Sequence, residues 1–303
     1  MRIFITGGMG FIGATLTKVL SSKGHQVTIL DRHMARGRPV PNGVRRIEGD
    51  STKPGSWREE LAEHDVIINL AGASIFQRWN RDVKKAIYQS RILTTRNVVE
   101  GLRAGKGQET HLLSASGVGF YGPHGDEVLD ESQSPGSDFL AQLAADWERE
   151  ALKARQVGAR VVLCRFGIVL GRNGGVLGQL VPTFRRYLGS SLGSGTQWFS
   201  WIHEQDLANI FLFLLAKPDV EGPVNCATPH PVRNSELTRT LGEVLNKPLI
   251  LPHIPGPILK LILGEFGDVV LTGQRAVPKK LLDHGFRFQF PTIKQALEDI
   301  LKS

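Results

Sequence analysis

Thr6-Gly7-Gly8-Met9-Gly10-Phe11-Ile12-Gly13 is the stretch that decides the fold. It follows a short β-prone run, Arg2 to Thr6, and opens a helical pattern from about Gly10 to Ser22 that stops at Gly24. A second β-prone run, Gln26 to Leu30, comes next. Strand, glycine loop, helix and strand within about 30 residues make a βαβ unit, whose strands are parallel. The glycine spacing has a chemical reason. Gly7, with Gly8 beside it, permits a tight turn. Gly10 lets the backbone approach a pyrophosphate, and Gly13 lets helix pack on strand. Phe11 and Ile12 open a helix whose free N–H groups and positive dipole end face the phosphates. Asp31 stands 18 positions past Gly13, at the end of the second strand. A carboxylate there accepts hydrogen bonds from the adenine-ribose hydroxyls. The unit predicts a bound dinucleotide.

The alternation continues outward. Val44 to Ile47 reads as a weak strand and Asp65 to Leu70 as an apolar one. Asn80 to Arg103 reads as a long helix with Val83, Ile87, Leu93, Val98 and Leu102 inward. His111 to Ser114 is a strand, Asp138 to Arg155 a helix and Ala159 to Phe166 a strand. This is the doubly wound α/β pattern of a Rossmann fold, built on a parallel sheet. After about Leu170 the rhythm breaks, and residues 171–200 are Gly-rich and irregular. Asp206 to Lys217 is a helix apolar almost all round, which predicts burial. Residues 223–226 read as one more strand. Eight of the sixteen prolines follow Thr228, with helices read at Asn234–Leu245 and Thr292–Leu301. The expected division is a dinucleotide-binding domain over 1–170, to which 201–227 return. A smaller C-terminal substrate domain takes 171–200 and 228–303.

Composition narrows the function classes. The chain has 303 residues, 41% of them hydrophobic and 22% charged, which is globular and not disordered. Two cysteines, Cys164 and Cys226, lack C-x-x-C spacing, so neither a disulfide scaffold nor a thiolate zinc site is expected, and no metal is assigned. The longest apolar stretch, Ile210 to Ala216, is far short of the ~20 residues of a membrane span. The expected location is the cytoplasm, with no membrane partner. The net charge of +8 is spread along the chain, densest at Arg32, Arg36 and Arg38. That argues against a nucleic-acid stripe and for a surface that attracts anionic small molecules.

The same residues carry a family resemblance. T-G-G-x-G-F-I-G followed by Asp31 resembles the extended short-chain dehydrogenase/reductase superfamily, the NAD-dependent epimerase/dehydratase group. Glu48-Gly49-Asp50, with Ser51 next, resembles its adenine-holding turn. Asn69-Leu70-Ala71-Gly72 resembles the strand-four segment beside the cofactor. Ser114-Ala115-Ser116 with Tyr121-Gly122 resembles the strand-five motif, and Trp201 to Asp206 resembles F-V-H-x-x-D. Gln77–Asn80, Gln89-Ser90-Arg91, Phe139 to Glu148, Gly171–Gly178, Gly193-Ser194-Gly195 and Gly273 to Lys279 are similar to one atypical epimerase-like subfamily with a small C-terminal domain. The resemblance covers essentially the whole chain. It implies NAD or NADP as cofactor and Arg91 facing it. It also implies that helices 80–103 and 138–155 pair two copies into a homodimer.

The superfamily's Tyr-x-x-x-Lys pair is absent. Four residues after Tyr88, Tyr121 and Tyr187 stand Ile92, Gly125 and Ser191. Phe139 and Leu143 occupy the pair's place, as in the resembled subfamily, and neither transfers a proton. Ser116 and Tyr121 remain as catalytic candidates, and Arg165 and His203 as substrate-binding ones. Asp126, Glu127, Asp130 and Glu131 read as a solvated acidic lid. Two functions stay open, and the first is the preferred one. One is a nicotinamide-dependent oxidoreductase or epimerase-like enzyme with an altered proton donor, acting on a small or nucleotide-linked substrate. The other is a non-catalytic NAD(P)-binding regulatory or redox-sensing protein. A polar open cleft favours the first and an apolar plug the second. On cofactor choice, Asp31 favours NAD, while Arg32, Arg36 and Arg38 favour NADP; a carboxylate fixed at a strand end outweighs side chains on a loop, so NAD is the expected one.

Overall fold

The computed structural model describes residues 1–32, 40–105, 110–172 and 174–302. The first half runs β1 (Arg2–Thr6), α1 (Phe11–Ser22), β2 (Gln26–Asp31), β3 (Arg45–Glu48), β4 (Val66–Asn69), α2 (Arg81–Ala104), β5 (His111–Gly117), β6 (Val128–Leu129), α3 (Phe139–Leu152) and β7 (Arg160–Phe166). It continues through β8 (Ile168–Gly171), β9 (Gly174–Gly175), α4 (Leu177–Arg185), β10 (Trp198–Phe199), β11 (Trp201–His203), α5 (Glu204–Ala216) and β12 (Gly222–Cys226). The chain closes with β13 (Val232–Arg233), α6 (Asn234–Val244), α7 (Gly256–Leu263), α8 (Phe266–Leu271), β14 (Arg275–Ala276), α9 (Lys279–Asp283) and α10 (Ile293–Lys302).

Seven parallel strands form the central sheet in the order β12-β7-β5-β4-β1-β2-β3. A sheet covered on both faces needs near-continuous apolar strands, and all four residues of β4 are buried. Ile5, Leu16, Leu20, Phe211 and Leu214 fill the face under α1 and α5. Phe4, Val98, Leu102, Leu112 and Ala151 fill the face under α2 and α3. The chain leaves β1 for β2 on one side and returns to β4 on the other. That reversal is the switch point where doubly wound sheets bind ligands.

The all-round apolar α5 is buried within the fold, with Ile210, Phe211 and Leu214 fully covered. In α2 the inward set differs from the reading. Ile92 is buried and Leu93 only half-buried. Thr94, Thr95 and Asn97 also face inward, and an apolar-only pattern passes over such polar positions. Residues 171–200 are less irregular than expected, because α4 forms there despite Pro182 inside it. A separate apolar cluster of Leu177, Phe184, Trp201, Leu237, Leu241 and Leu297 joins α4, α6 and α10. Among the described residues no helix is long and apolar enough to cross a membrane. Among them, too, no group of three or more His, Cys, Asp or Glu is placed to hold a metal ion. Cys164 and Cys226 are free and fully buried on neighbouring strands, and burial pushes the Cys226 thiol up.

Candidate dinucleotide groove and its substrate side

The glycine loop takes the geometry its spacing requires. Gly7 has a φ of +72°, and a Cβ there would lie 2.9 Å from the backbone N of Ala71. A Cβ on Gly13 would lie 2.2 Å from the Gly7 carbonyl oxygen. Helix and strand therefore touch only because both are glycine. A Cβ on Gly8 would meet the Ile29 side chain at 2.5 Å. Gly10 is different, because its Cβ would meet only the Gly7 carbonyl, at 3.2 Å. The space over Gly10 is open. Gly10 is the N-cap of α1, no side chain caps the helix, and its first turn holds no acidic residue. The N–H groups of Phe11, Ile12 and Gly13 have no partner within the helix. Uncapped donors, a bare dipole end and an open cradle together fit a pyrophosphate.

The residues read as the adenosine end stand at the tips of β2 and β3. Asp31 forms an ion pair with Arg46, Oδ2 to Nη2, at 2.5 Å. Arg46 was not among the residues singled out in the sequence, because nothing in β3 alone shows which face it takes. Arg32 follows and is exposed, whereas Arg36 and Arg38 lie outside the described residues. Asp50 accepts hydrogen bonds from the N–H and hydroxyl of Thr52. Partial burial opposes its charge, but those bonds and the Arg32 and Lys53 cations outweigh it and hold its pKa down. Ser51 is buried and shares a hydrogen bond with Thr94 at 2.9 Å.

The far wall of the switch point is the strand-four segment. The Thr6 hydroxyl donates to Asn69 Oδ1 at 2.7 Å and accepts from the N–H groups of Leu70 and Ala71. Asn69 in turn donates to Thr95 and Ser114. This network fixes Leu70, Ala71 and exposed Gly72 opposite the glycine loop. Arg91 donates to the carbonyls of Ala73 and Ile87, both at 3.0 Å. A Cβ on Gly72 would lie 3.1 Å from its Cζ. Burial lowers the Arg91 pKa to about 10.

On the substrate side the polar candidates are turned into one another. Arg165 bonds both Glu148 oxygens at 2.8 Å and stacks 3.5 Å over the Phe120 ring. Burial opposes its charge, yet the Glu148 pair raises its pKa. Ser116 donates to Glu148 Oε1 at 2.7 Å. The Tyr121 hydroxyl donates to Asn225 Oδ1 at 2.7 Å and accepts from Arg165 at 3.1 Å. Tyr121 is fully buried, and burial pushes its pKa up to about 12. Ser116 and Tyr121, read as catalytic candidates, and Arg165, read as a substrate-binding one, are thus all buried and share one hydrogen-bond network through Glu148 and Asn225. Glu148 and Asn225, the hubs of this network, were missed because their partners come from distant strands and helices.

His203, read as the other substrate-binding candidate, is buried too. It is 3% exposed, its Nδ1 accepts from the Gln205 N–H, and its ring packs 3.9 Å from Phe290. Burial lowers its pKa against the pull of Asp299, whose Oδ2 lies 3.3 Å from Nε2. Asp206 accepts from the N–H groups of Gln289 and Phe290. The H-x-x-D segment pins residues 289–290 to the start of α5. The acidic loop is not all solvated either. Glu131 accepts from the N–H groups of Asn225 and Lys280, and β6 pairs with β14.

Phe139 and Leu143 stand in an apolar cluster with Trp79, Ile87 and Phe266, with Ile75, Leu263 and Val270 packed against it. Phe139 meets Trp79 edge-on at 5.3 Å, and Phe266 lies 5.3 Å from the same indole. The Trp79 backbone N–H donates to the Leu263 carbonyl. The loop before α2 and the α7–α8 pair thus close over the place of the missing Tyr and Lys.

Comparison with known proteins agrees with the groove. The profile of the NAD dependent epimerase/dehydratase family matches residues 3–227, and that of a domain of unknown function (DUF1731) matches 254–300. The chloroplastic "Epimerase family protein SDR39U1 homolog" of Arabidopsis thaliana is 37% identical over 310 residues, covering 100% of this chain and 87% of its own. "Epimerase family protein YfhF" of Bacillus subtilis is 36% identical over 302 residues, covering 99% of this chain and 98% of its own. The crystal structure of human epimerase family protein SDR39U1 (isoform 2) with NADPH has a TM-score of 0.87 and 32% identity, over 100% of both chains. Glycine loop, switch point and whole-length similarity coincide, and the chain belongs to the NAD-dependent epimerase/dehydratase family, as an NAD(P)-binding protein of the SDR39U1 type.

Proposed function

We propose that this chain is a regulatory NAD(P)-binding protein, which holds the dinucleotide without the proton-coupled turnover of its family. The observation that carries this reading is the apolar cluster of Phe139, Leu143, Trp79 and Phe266 where proton exchange would need Tyr and Lys. When bound, the dinucleotide supplies a hydride donor or acceptor. The chain's own residues supply its cradle at Gly7 to Gly13 and its wall at Leu70 to Gly72. None of Phe139, Leu143, Trp79 or Phe266 holds or moves a proton, and a polar sugar would meet apolar groups there. The contacts of α7–α8 with that cluster offer a route by which occupancy of the groove reaches the C-terminal surface. The oxidoreductase or epimerase-like reading stands second. Exposed Gly72 favours it, because a small molecule reaches the groove from that side.

The test uses protein loaded with NADH or NADPH. A panel of nucleotide sugars and simple carbonyl compounds is added, and reduced-nicotinamide absorbance is followed. No oxidation above the protein-free control is expected. Phe139→Tyr with Leu143→Lys is expected to leave that result unchanged, because Trp79, Ile87 and Phe266 still pack there. Turnover at ordinary enzyme rates by the wild type would sink the regulatory reading. Hydrogen exchange of α7 and α8 should differ between the empty and loaded protein, and identical exchange would remove the proposed route.

A further inference from the structure

We propose that Arg46 converts the adenosine end of the groove into a 2′-phosphate site, so that this chain selects NADP(H) over NAD(H) despite Asp31. The inference rests on the dinucleotide reading and adds a specificity-determining residue to it.

A carboxylate at the end of a second strand ordinarily selects NAD, because it accepts from the ribose hydroxyls and repels a 2′-phosphate. Here that carboxylate is already engaged. β2 and β3 pair in parallel, with Ile29 opposite Arg46 and Asp31 opposite Glu48. Residues two apart on a strand share a face, so Arg46 and Asp31 lie on the face of Ile29. That face carries the glycine loop, since a Cβ on Gly8 would meet Ile29 at 2.5 Å. The Asp31–Arg46 pair therefore sits on the cofactor side of the sheet. Its side chains are 13% and 17% exposed, so solvent screens it little.

Pairing changes the charge that a ligand meets. Asp31 alone would repel a phosphate, whereas Asp31 bound to a guanidinium is close to neutral at short range. Two further cations stand at this end. Arg32 follows Asp31, and Arg32 and Lys53 both act on Asp50, whose Oδ1 is occupied by Thr52. Glu48 lies opposite Asp31 but is exposed, so its repulsion is screened. A guanidinium offers planar paired donors that match phosphate oxygens, which an isolated ribose hydroxyl does not exploit.

Calorimetric titration of the full chain with NADPH and NADH, and with adenosine 2′,5′-bisphosphate and AMP, tests this. The wild type should bind NADPH about tenfold or more tighter than NADH, and the bisphosphate tighter than AMP by a similar factor. Arg46→Gln frees the Asp31 charge, so NADPH binding should weaken about tenfold while NADH binding holds or improves. Asp31→Asn should retain NADPH binding and weaken NADH binding. Thermal melting of each ligand-free variant reports folding. Should Arg46→Gln fail to fold, Arg46→Lys keeps the charge without the fork and should give an intermediate ratio. Equal or tighter binding of NADH by the wild type overturns the proposal alone. So does an equal loss of both cofactors in the Arg46 variant. Binding of no dinucleotide by the folded wild type overturns the proposal together with the dinucleotide reading.

Discussion

The two halves of the groove are built in opposite ways. The cofactor half is made of backbone: glycines at 7, 8, 10 and 13, uncapped N–H groups at the start of α1, and open space over Gly10. The substrate half is made of side chains that satisfy one another. Ser116, Tyr121, Glu148, Arg165 and Asn225 form one closed network, and Phe139 and Leu143 are packed under Trp79 and Phe266. Donors that the chain leaves facing open space are available to a ligand's phosphates. Donors that the chain itself satisfies need none. The comparison teaches that the same strand ends can serve binding or architecture. Which of the two they serve is read from where their hydrogen bonds go.

The largest expected effect breaks the substrate half from beneath. Arg165→Met leaves Glu148 buried without its cation and should destabilise the fold by about 3–5 kcal/mol. Dinucleotide affinity per folded molecule should stay near wild type. Denaturant melts beside titration of NADPH check both. A stable Arg165→Met variant that no longer binds dinucleotide would place Arg165 in the cofactor site and erase the contrast.

Next in size is the cofactor half. Gly10→Val places a side chain where the pyrophosphate approaches, yet meets little of the protein itself. Melting should hold near wild type, while dinucleotide affinity falls about 100-fold, equivalent to ~2.7 kcal/mol. Unchanged affinity in a folded Gly10→Val protein would sink the phosphate-loop assignment.

The smallest effect sharpens the contrast through pH. His64 is buried, with Nδ1 against the Glu60 carbonyl and Nε2 against the Thr28 hydroxyl. Burial lowers its pKa, as it does for His203. A histidine whose folded pKa is depressed contributes stability above its unfolded pKa, near 6.5, and loses it as pH falls. Melting temperature should therefore drop between about pH 7.5 and pH 5.5, and His64→Asn should flatten that slope. Parallel slopes in wild type and variant would remove His64 from the account.

Sequence alone determined what repeats locally. The glycine loop, the parallel strands and the long helices each carry their pattern within a few residues, because strand and helix periodicity and glycine conformation are near-neighbour properties. Asp31 at a strand end and the absence of Tyr-x-x-x-Lys were legible for the same reason. The helices at 177–185, 256–263, 266–271 and 279–283 were not, since segments this short form only when packing stabilises them. Leu93 was read inward because periodicity counts apolar residues and α2 turns Thr94, Thr95 and Asn97 inward as well. Only the tertiary structure decided which side chains face the groove. Arg46 reaches Asp31 from the next strand, Arg165 of β7 meets Glu148 of α3, and Trp79 joins Phe139 to Phe266, residues far apart in sequence. Such pairings depend on strand order and register, which bring together residues that sequence spacing keeps far apart.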